Sequence, residues 1–244
     1  SRRCRPFGRA RSSRAALRNG SRPSLRAAFQ LSQDVAGSRK TGVVIYRAIY
    51  RGTPTTEQER VSSALGVVFE RLEDPAGAER HYRRAVDLAP QSPDNLNALA
   101  VFTCQRKREP REALQLFDRA LAIPLSVSAA NRAMLNTNAG TCAKTIDLLL
   151  AERYLRTALV ENPEYSDALL QLAEVTLEGG TALQARAFIE RYLASAPPSP
   201  AGLWLAVRIE RALNDPLAAG KYAEALRKQF PGSGEARQLA ELQP

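Results

Sequence analysis

"AERHYRRAVDLAP" at residues 78–90 is echoed by "AERYLRTALVENP" at 151–163. Each stretch opens on alanine (Ala78, Ala151) and places a large apolar residue four positions on (Tyr82, Leu155). Each returns to alanine at seven (Ala85, Ala158) and stops at proline at twelve (Pro90, Pro163). Apolar positions three and four apart lie on one face of an α-helix, and a proline past the last of them ends it. A segment that says the same thing twice is a repeat unit, and its period decides the fold.

Extending the first copy backwards adds Leu65, Gly66 and Phe69. The spacing from Leu65 to Pro90 is that of a helix-turn-helix unit of about 34 residues, the tetratricopeptide (TPR) pattern. Leu172, Ala173, Thr176, Ala185, Ile189, Tyr192 and Pro197 fall on the same grid. Two copies lie between: Leu99, Ala100, Ala113, Phe117, Ala120 and Pro124, then Ala139, Gly140, Ala151, Leu155, Ala158 and Pro163. The extra residues at 124–133 are expected to lengthen the loop between these two copies. A weaker fifth copy spans 200–232 with Trp204, Ala218, Tyr222 and Ala225, and residues 235–242 read as a short capping helix. "SPD" at 92–94 and "YSD" at 165–167 offer polar groups to the next helix start. Small residues at Gly66, Ala85, Ala120 and Gly140 let paired helices approach, and Phe69, Tyr82 and Phe117 fill the space left. One such unit cannot bury its apolar face alone, so units come in series. The expected fold is an all-α tetratricopeptide superhelix over 52–244. Its units are expected near 59–92, 93–126, 133–164, 166–199 and 200–232, with the first helices lining a concave groove.

Charge divides the chain. Of 35 basic and 25 acidic residues, 1–51 holds thirteen of the bases and a single acid, Asp34, so the net charge of +10 comes from this segment. Three readings compete for it: a disordered basic tail for nucleic acid or anionic lipid, a transit-like peptide, or a stretch read out of frame upstream of a genuine body. The out-of-frame reading is preferred, because Arg, Ser, Ala, Gly and Pro crowd the segment; nucleic acid is then not an expected partner. No run of apolar residues is long enough to span a membrane.

No catalytic constellation emerges: no phosphate-binding glycine loop, no HExxH and no GxSxG. The single histidine, His81, reads as a solvent-facing helical residue. Cys4, Cys104 and Cys142 show no metal-ligand spacing, so no metal, cofactor or small-molecule substrate is expected. Glu73 and Asp74 read as turn carboxylates. Groove positions of the repeat include Asn97, Val101, Thr137, Thr141, Lys144, Leu170 and Glu174, and Asn138 lies close by. Asparagine offers both a donor and an acceptor to an extended peptide, although Asn95, Asn97 and Asn138 equally suit hydrogen bonds between repeats. This lining is mixed, without the dense Lys/Asn clamp that a free carboxylate needs, and fits a ligand with apolar and polar contacts. Cys104 and Cys142 lie at similar heights of adjacent first helices. They are either a disulfide or two buried thiols.

"SPDNLNALAVF", "LNTNAGTCAKTIDL", "AERYLRTALVENPEYSDALLQLAEV" and "KQFPGSGEARQL" resemble the PilF/PilW type IV pilus biogenesis and stability family over residues 60–242. The resemblance implies a non-enzymatic bacterial TPR lipoprotein at the periplasmic face of the outer membrane. Its partner would be the pilus secretin, which such pilotin-like factors help to localise and multimerise. It also favours a Cys104–Cys142 disulfide. Cys4 sits in "SRRCRPF" without an apolar run before it and is not read as a lipidation site. Membrane association is thus implied by the family's lipidation and not by a lipobox here. The alternative is a general TPR adaptor or co-chaperone scaffold that binds peptide segments of a protein complex.

Overall fold

The computed structural model describes residues 55–123 and 129–241, which form eleven helices and no strand. They are α1 (Thr55–Arg71), α2 (Pro75–Leu88), α3 (Pro93–Gln105), α4 (Pro110–Leu121), α5 (Ala129–Ala143), α6 (Leu148–Glu161), α7 (Ser166–Glu178), α8 (Ala182–Ser195), α9 (Pro200–Ala212), α10 (Pro216–Gln229) and α11 (Gly234–Glu241). The readings made for residues 1–51, including Cys4 and the basic segment, and for Pro124 lie outside the described residues. The chain divides into two compact units, 1–99 and 100–244.

Three of the turns between paired helices share one construction. Glu73, Arg108 and Asn214 take left-handed φ angles of 55°, 61° and 56°. Each is followed by an acidic N-cap residue and a proline at the first helical position (Asp74–Pro75, Glu109–Pro110, Asp215–Pro216). Proline suits that position because its missing N–H would have no helical partner there. Asp74 accepts from the Gly77 amide at 2.9 Å and Asp215 from the Ala218 amide at 3.0 Å. Glu109 makes no cap bond and pairs instead with Lys107. Ser92 accepts from the Asn95 amide at 3.4 Å, as expected of "SPD". "YSD" behaves differently: Tyr165 occupies the N-cap of α7 with no side-chain bond, and Asp167 sits in the first turn, where the helix dipole favours an acid.

In the unit that ends at Leu99, α1 and α2 pack as a pair. The Tyr82 ring packs against Gly66, where an added Cβ would stand 2.5 Å from it. The Tyr82 hydroxyl donates to Glu70 at 2.6 Å. Asn95 is buried, and its side-chain amide donates to Glu59 of α1 at 2.6 Å and to the Ala85 carbonyl of α2 at 3.2 Å. It is therefore an inter-helix tie rather than a peptide contact. Asn95→Ala is expected to destabilise this unit by about 1–3 kcal/mol, the cost of a lost buried amide, measured by urea unfolding.

His81 is not solvent-facing. It is half-buried and stacked on Phe69, with ring centroids 5.0 Å apart. Burial, then the neighbouring Arg80 charge, pushes its pKa below 6.5. The unfolded chain thus binds the proton more readily than the folded one. Stability from this site is complete above pH 6.5 and is lost as pH falls from there through the folded pKa. Unfolding free energy should show that decline in the native sequence, and His81→Phe should flatten it.

In the unit beginning at Ala100, Ala113, Phe117 and Ala120 of α4, Ala151, Leu155 and Ala158 of α6, and Ala185, Ile189 and Tyr192 of α8 are all buried. Gly140 of α5 faces Leu155, whose Cγ would stand 2.6 Å from a Cβ placed there. Leu169, Ala173, Ala185, Ile189, Tyr192, Leu205, Ala206 and Ile209 form one core shared by α7, α8 and α9. A second core joins α9, α10 and α11 through Leu203, Val207, Ala223, Leu226, Ala236 and Leu239.

Two expectations are corrected here. Residues 129–133 are helical, and they extend α5 to fifteen residues, whereas α7 and α9 have thirteen. In the fifth repeat the buried line is Ala219, Ala223 and Leu226, one residue along from Ala218, Tyr222 and Ala225. Its helices begin 34 residues after those of the fourth, so the aromatic Tyr222 mimicked the grid without occupying it. Tyr222 stays half-buried, and burial, with Glu210 and Glu190 adding to it, pushes its pKa up.

Candidate functional site

The first helices α5, α7 and α9 are neighbours in the second unit. α5 presents Asn138 half-buried and Thr141 exposed, and Lys144, half-buried, follows its last residue; α7 presents Leu170 and Glu174, both half-buried. Thr137 departs from the groove expectation. It is buried, and its hydroxyl donates to the Ala133 carbonyl at 2.7 Å, so it braces α5 and offers nothing outward. Thr141 likewise donates to the Thr137 carbonyl at 3.0 Å, but its side chain remains exposed.

Lys144 and Glu174 come together. The ammonium lies 2.7 Å from Glu174 and 3.5 Å from Glu178. The pair ties α5 to α7 and cancels the charges that seemed available to a ligand. Leu170 packs against the α7–α8–α9 core and contributes only part of its surface. The exposed lining that remains is small and nearly neutral: Thr141 and the outer face of Leu170, with Asn138 half-buried beside them. In the stretch of α3 on either side of the unit boundary, Asn97 and Val101 are each half-buried.

Cys104 and Cys142 are bonded as a disulfide, with Cα atoms 6.0 Å apart, inside the usual range. Each is the penultimate residue of its helix, α3 and α5. Cross-linking at matched heights fixes these helix ends across the connection that contains residues 124–128.

The sequence reading missed an ion cluster built on one buried carboxylate. Glu210 of α9 is almost wholly buried and receives two bonds from the Arg186 guanidinium of α8, Nε to Oε1 at 3.0 Å and Nη2 to Oε2. Asp215, the N-cap of α10, lies 3.5 Å from the same guanidinium. A buried carboxylate persists only when paired and hydrogen-bonded. The signal was an acid inside the apolar run "LWLAVRIERAL", where the preceding repeat carries Thr176. No cluster of His, Cys, Asp and Glu able to hold a metal occurs among the described residues, and none of their helices is long and apolar enough to cross a membrane.

Paired helices with small-residue contacts, acid–proline turns and a 34-residue spacing define the class: this is a chain of tetratricopeptide repeats. The tetratricopeptide repeat family model matches residues 63–126 and 147–200. The fold is similar to that of PilW, described as a widely conserved type IV pilus biogenesis factor. That match has a TM-score of 0.75 and 24% identity, over 88% of this chain and 97% of PilW. It is also similar to PilF of Pseudomonas aeruginosa, with a TM-score of 0.68 and 21% identity, over 94% of this chain and 99% of that one. Among curated proteins, cellulose synthase operon protein C of Pseudomonas fluorescens (strain SBW25) is 30% identical over 169 residues. The matched region is 68% of this chain and only 13% of that much longer protein.

Proposed function

We propose that this protein is a non-enzymatic assembly factor for type IV pili, acting at the periplasmic face of the outer membrane and holding a segment of the pilus secretin while the secretin multimerises. One observation carries the reading: the same helical architecture recurs in PilW over nearly the whole of that chain. The disulfide supports it, because such bonds persist in oxidising compartments such as the periplasm. The mixed lining at Thr141 and Leu170 suits a peptide segment that carries an apolar residue beside a polar one.

A purified preparation of the chain is expected to bind the periplasmic part of the secretin from the same cell. Thr141→Arg, which places bulk on an exposed position, should weaken that binding by about tenfold without changing the melting temperature. Binding that ignores Thr141→Arg moves the contact elsewhere, and no binding removes the secretin as partner. A general TPR adaptor is the second reading. It is favoured by the 30% identity to a region of cellulose synthase operon protein C.

A further inference from the structure

α9, the first helix of the fifth repeat, packs against α7, α8, α10 and α11. Leu203, Ala206, Val207, Ile209 and Glu210 are its buried residues in those contacts. Ala201, Trp204, Arg208 and Arg211 stand three and four residues apart and so share one face of the helix. Ala201 and Arg211 are exposed, and Trp204 and Arg208 are half-buried. This stripe is therefore left uncovered by the neighbouring helices. Trp204 and Arg208 lie 34 residues after Leu170 and Glu174, the groove positions of α7.

The polar atoms of the stripe are uncommitted. Arg208 and Arg211 make no ion pair or hydrogen bond among the described residues. The Trp204 indole packs on the core of α9, α10 and α11, while its N–H meets no acceptor among the described residues and stays open to solvent. Nearby carboxylates are engaged elsewhere: Glu210 and Asp215 with Arg186, and Glu174 and Glu178 of α7 with Lys144. Arg211 has a local reason to be basic, because it lies in the last turn of α9, where the helix dipole favours a cation. Arg208 lies one turn earlier and has no such reason. A half-buried guanidinium without a counter-charge has lost part of its hydration, and a ligand carboxylate would restore what it lacks.

The two arginines call for an anion, and their surroundings limit its width. α7 carries Asp167, Glu174 and Glu178 and no base of its own, and α11 carries Glu235 and Glu241 against Arg237. A membrane surface or a nucleic-acid duplex broad enough to touch these helices as well would meet their acids. A single peptide strand can meet α9 alone.

We infer that α9 docks an acidic, extended segment of a partner protein, with an aromatic or large apolar residue against Trp204 and carboxylates on Arg208 and Arg211. The helix rise sets Arg208 about 6 Å and Arg211 about 10.5 Å along from Trp204. An extended strand rises about 3.3 Å per residue, with alternate side chains on one side. Carboxylates two and four positions past the apolar residue thus fall within reach of the two long side chains. This inference rests on the reading that first helices take a peptide segment, and names the chemistry of that segment.

The test uses the full chain and a fluorescein-labelled peptide with a phenylalanine followed at two and four positions by glutamate, on a glycine–serine background. One control peptide carries lysine for both glutamates, and another carries serine for the phenylalanine. Fluorescence anisotropy is expected to show the acidic peptide binding at least about tenfold more tightly than either control, and less tightly as salt rises. Arg208→Gln with Arg211→Gln should remove most of that advantage at unchanged melting temperature, because neither guanidinium has a partner to lose. Arg208→Glu with Arg211→Glu should turn the preference towards the lysine peptide. No binding of the acidic peptide at about millimolar concentration overturns the proposal. So does binding indifferent to the arginines or to the phenylalanine, or arginine-dependent binding of phosphatidylglycerol vesicles or a DNA duplex with no peptide binding. The glutamine variant also separates this inference from the secretin reading. Secretin binding that ignores it overturns the inference and leaves the secretin as partner. Arginine-dependent peptide binding by a chain that does not bind the secretin supports the inference and removes the secretin.

Discussion

Removing the Cys104–Cys142 disulfide, as Cys104→Ser with Cys142→Ser, is expected to be among the two most damaging changes to this fold. The bond joins residues 38 apart in sequence. Closing a loop of that length in the unfolded chain is worth about 4 kcal/mol by the chain-entropy estimate. In a domain of this size that corresponds to a fall in melting temperature of about 10 °C. The bond also spans the connection that contains residues 124–128, so its loss frees the ends of α3 and α5. Thermal unfolding with and without dithiothreitol checks this. The native chain should drop to the melting temperature of the double variant once reduced, and the double variant should not respond to reductant. Since Cys142 is buried, reduction of the folded protein should be slow and should accelerate near the unfolding transition.

The second large effect is expected at Phe117. Its ring is fully buried on α4 between Ala113 and Ala120, two residues that have no spare volume to move into the gap. Phe117→Ala removes most of an aromatic side chain and leaves a cavity, at a cost of about 3–5 kcal/mol. Phe117→Leu keeps much of the volume and should cost less than about 1.5 kcal/mol. Urea midpoints for the three proteins should fall in the order native, leucine, alanine, with similar slopes. An alanine variant as stable as the leucine one would mean that α4 is not packed as described.

Sequence spacing carried most of the fold because helix pairing here runs through alanine and glycine at fixed intervals. Ala78, Ala113, Ala151 and Ala185 were legible since a small side chain recurring over so regular a period marks where helices approach closely. Tyr222 shows where this fails. An aromatic residue at a permitted spacing matched the pattern, but the helix start 34 residues after α8 put Ala219, Ala223 and Leu226 inward. At the groove, spacing placed Lys144 and Glu174 on neighbouring first helices but could not say that they meet. Their pairing depends on rotamers and on the stagger of α5 against α7, and Thr137 turned inward for the same reason. The Arg186–Glu210–Asp215 cluster joins residues 24 and 29 apart, beyond the reach of any pattern within one helix.

The reading as a pilus assembly factor meets its most direct test in the cell. With this gene deleted, the outer-membrane fraction should contain pilus secretin as monomer, without the detergent-resistant multimers of the parent strain. A copy carrying residues 52–244 behind a lipoprotein signal should restore them, and the same copy with Thr141→Arg should restore them poorly. Normal multimers and normal piliation in the deletion strain would contradict the assignment, and would leave a tetratricopeptide adaptor that serves another complex.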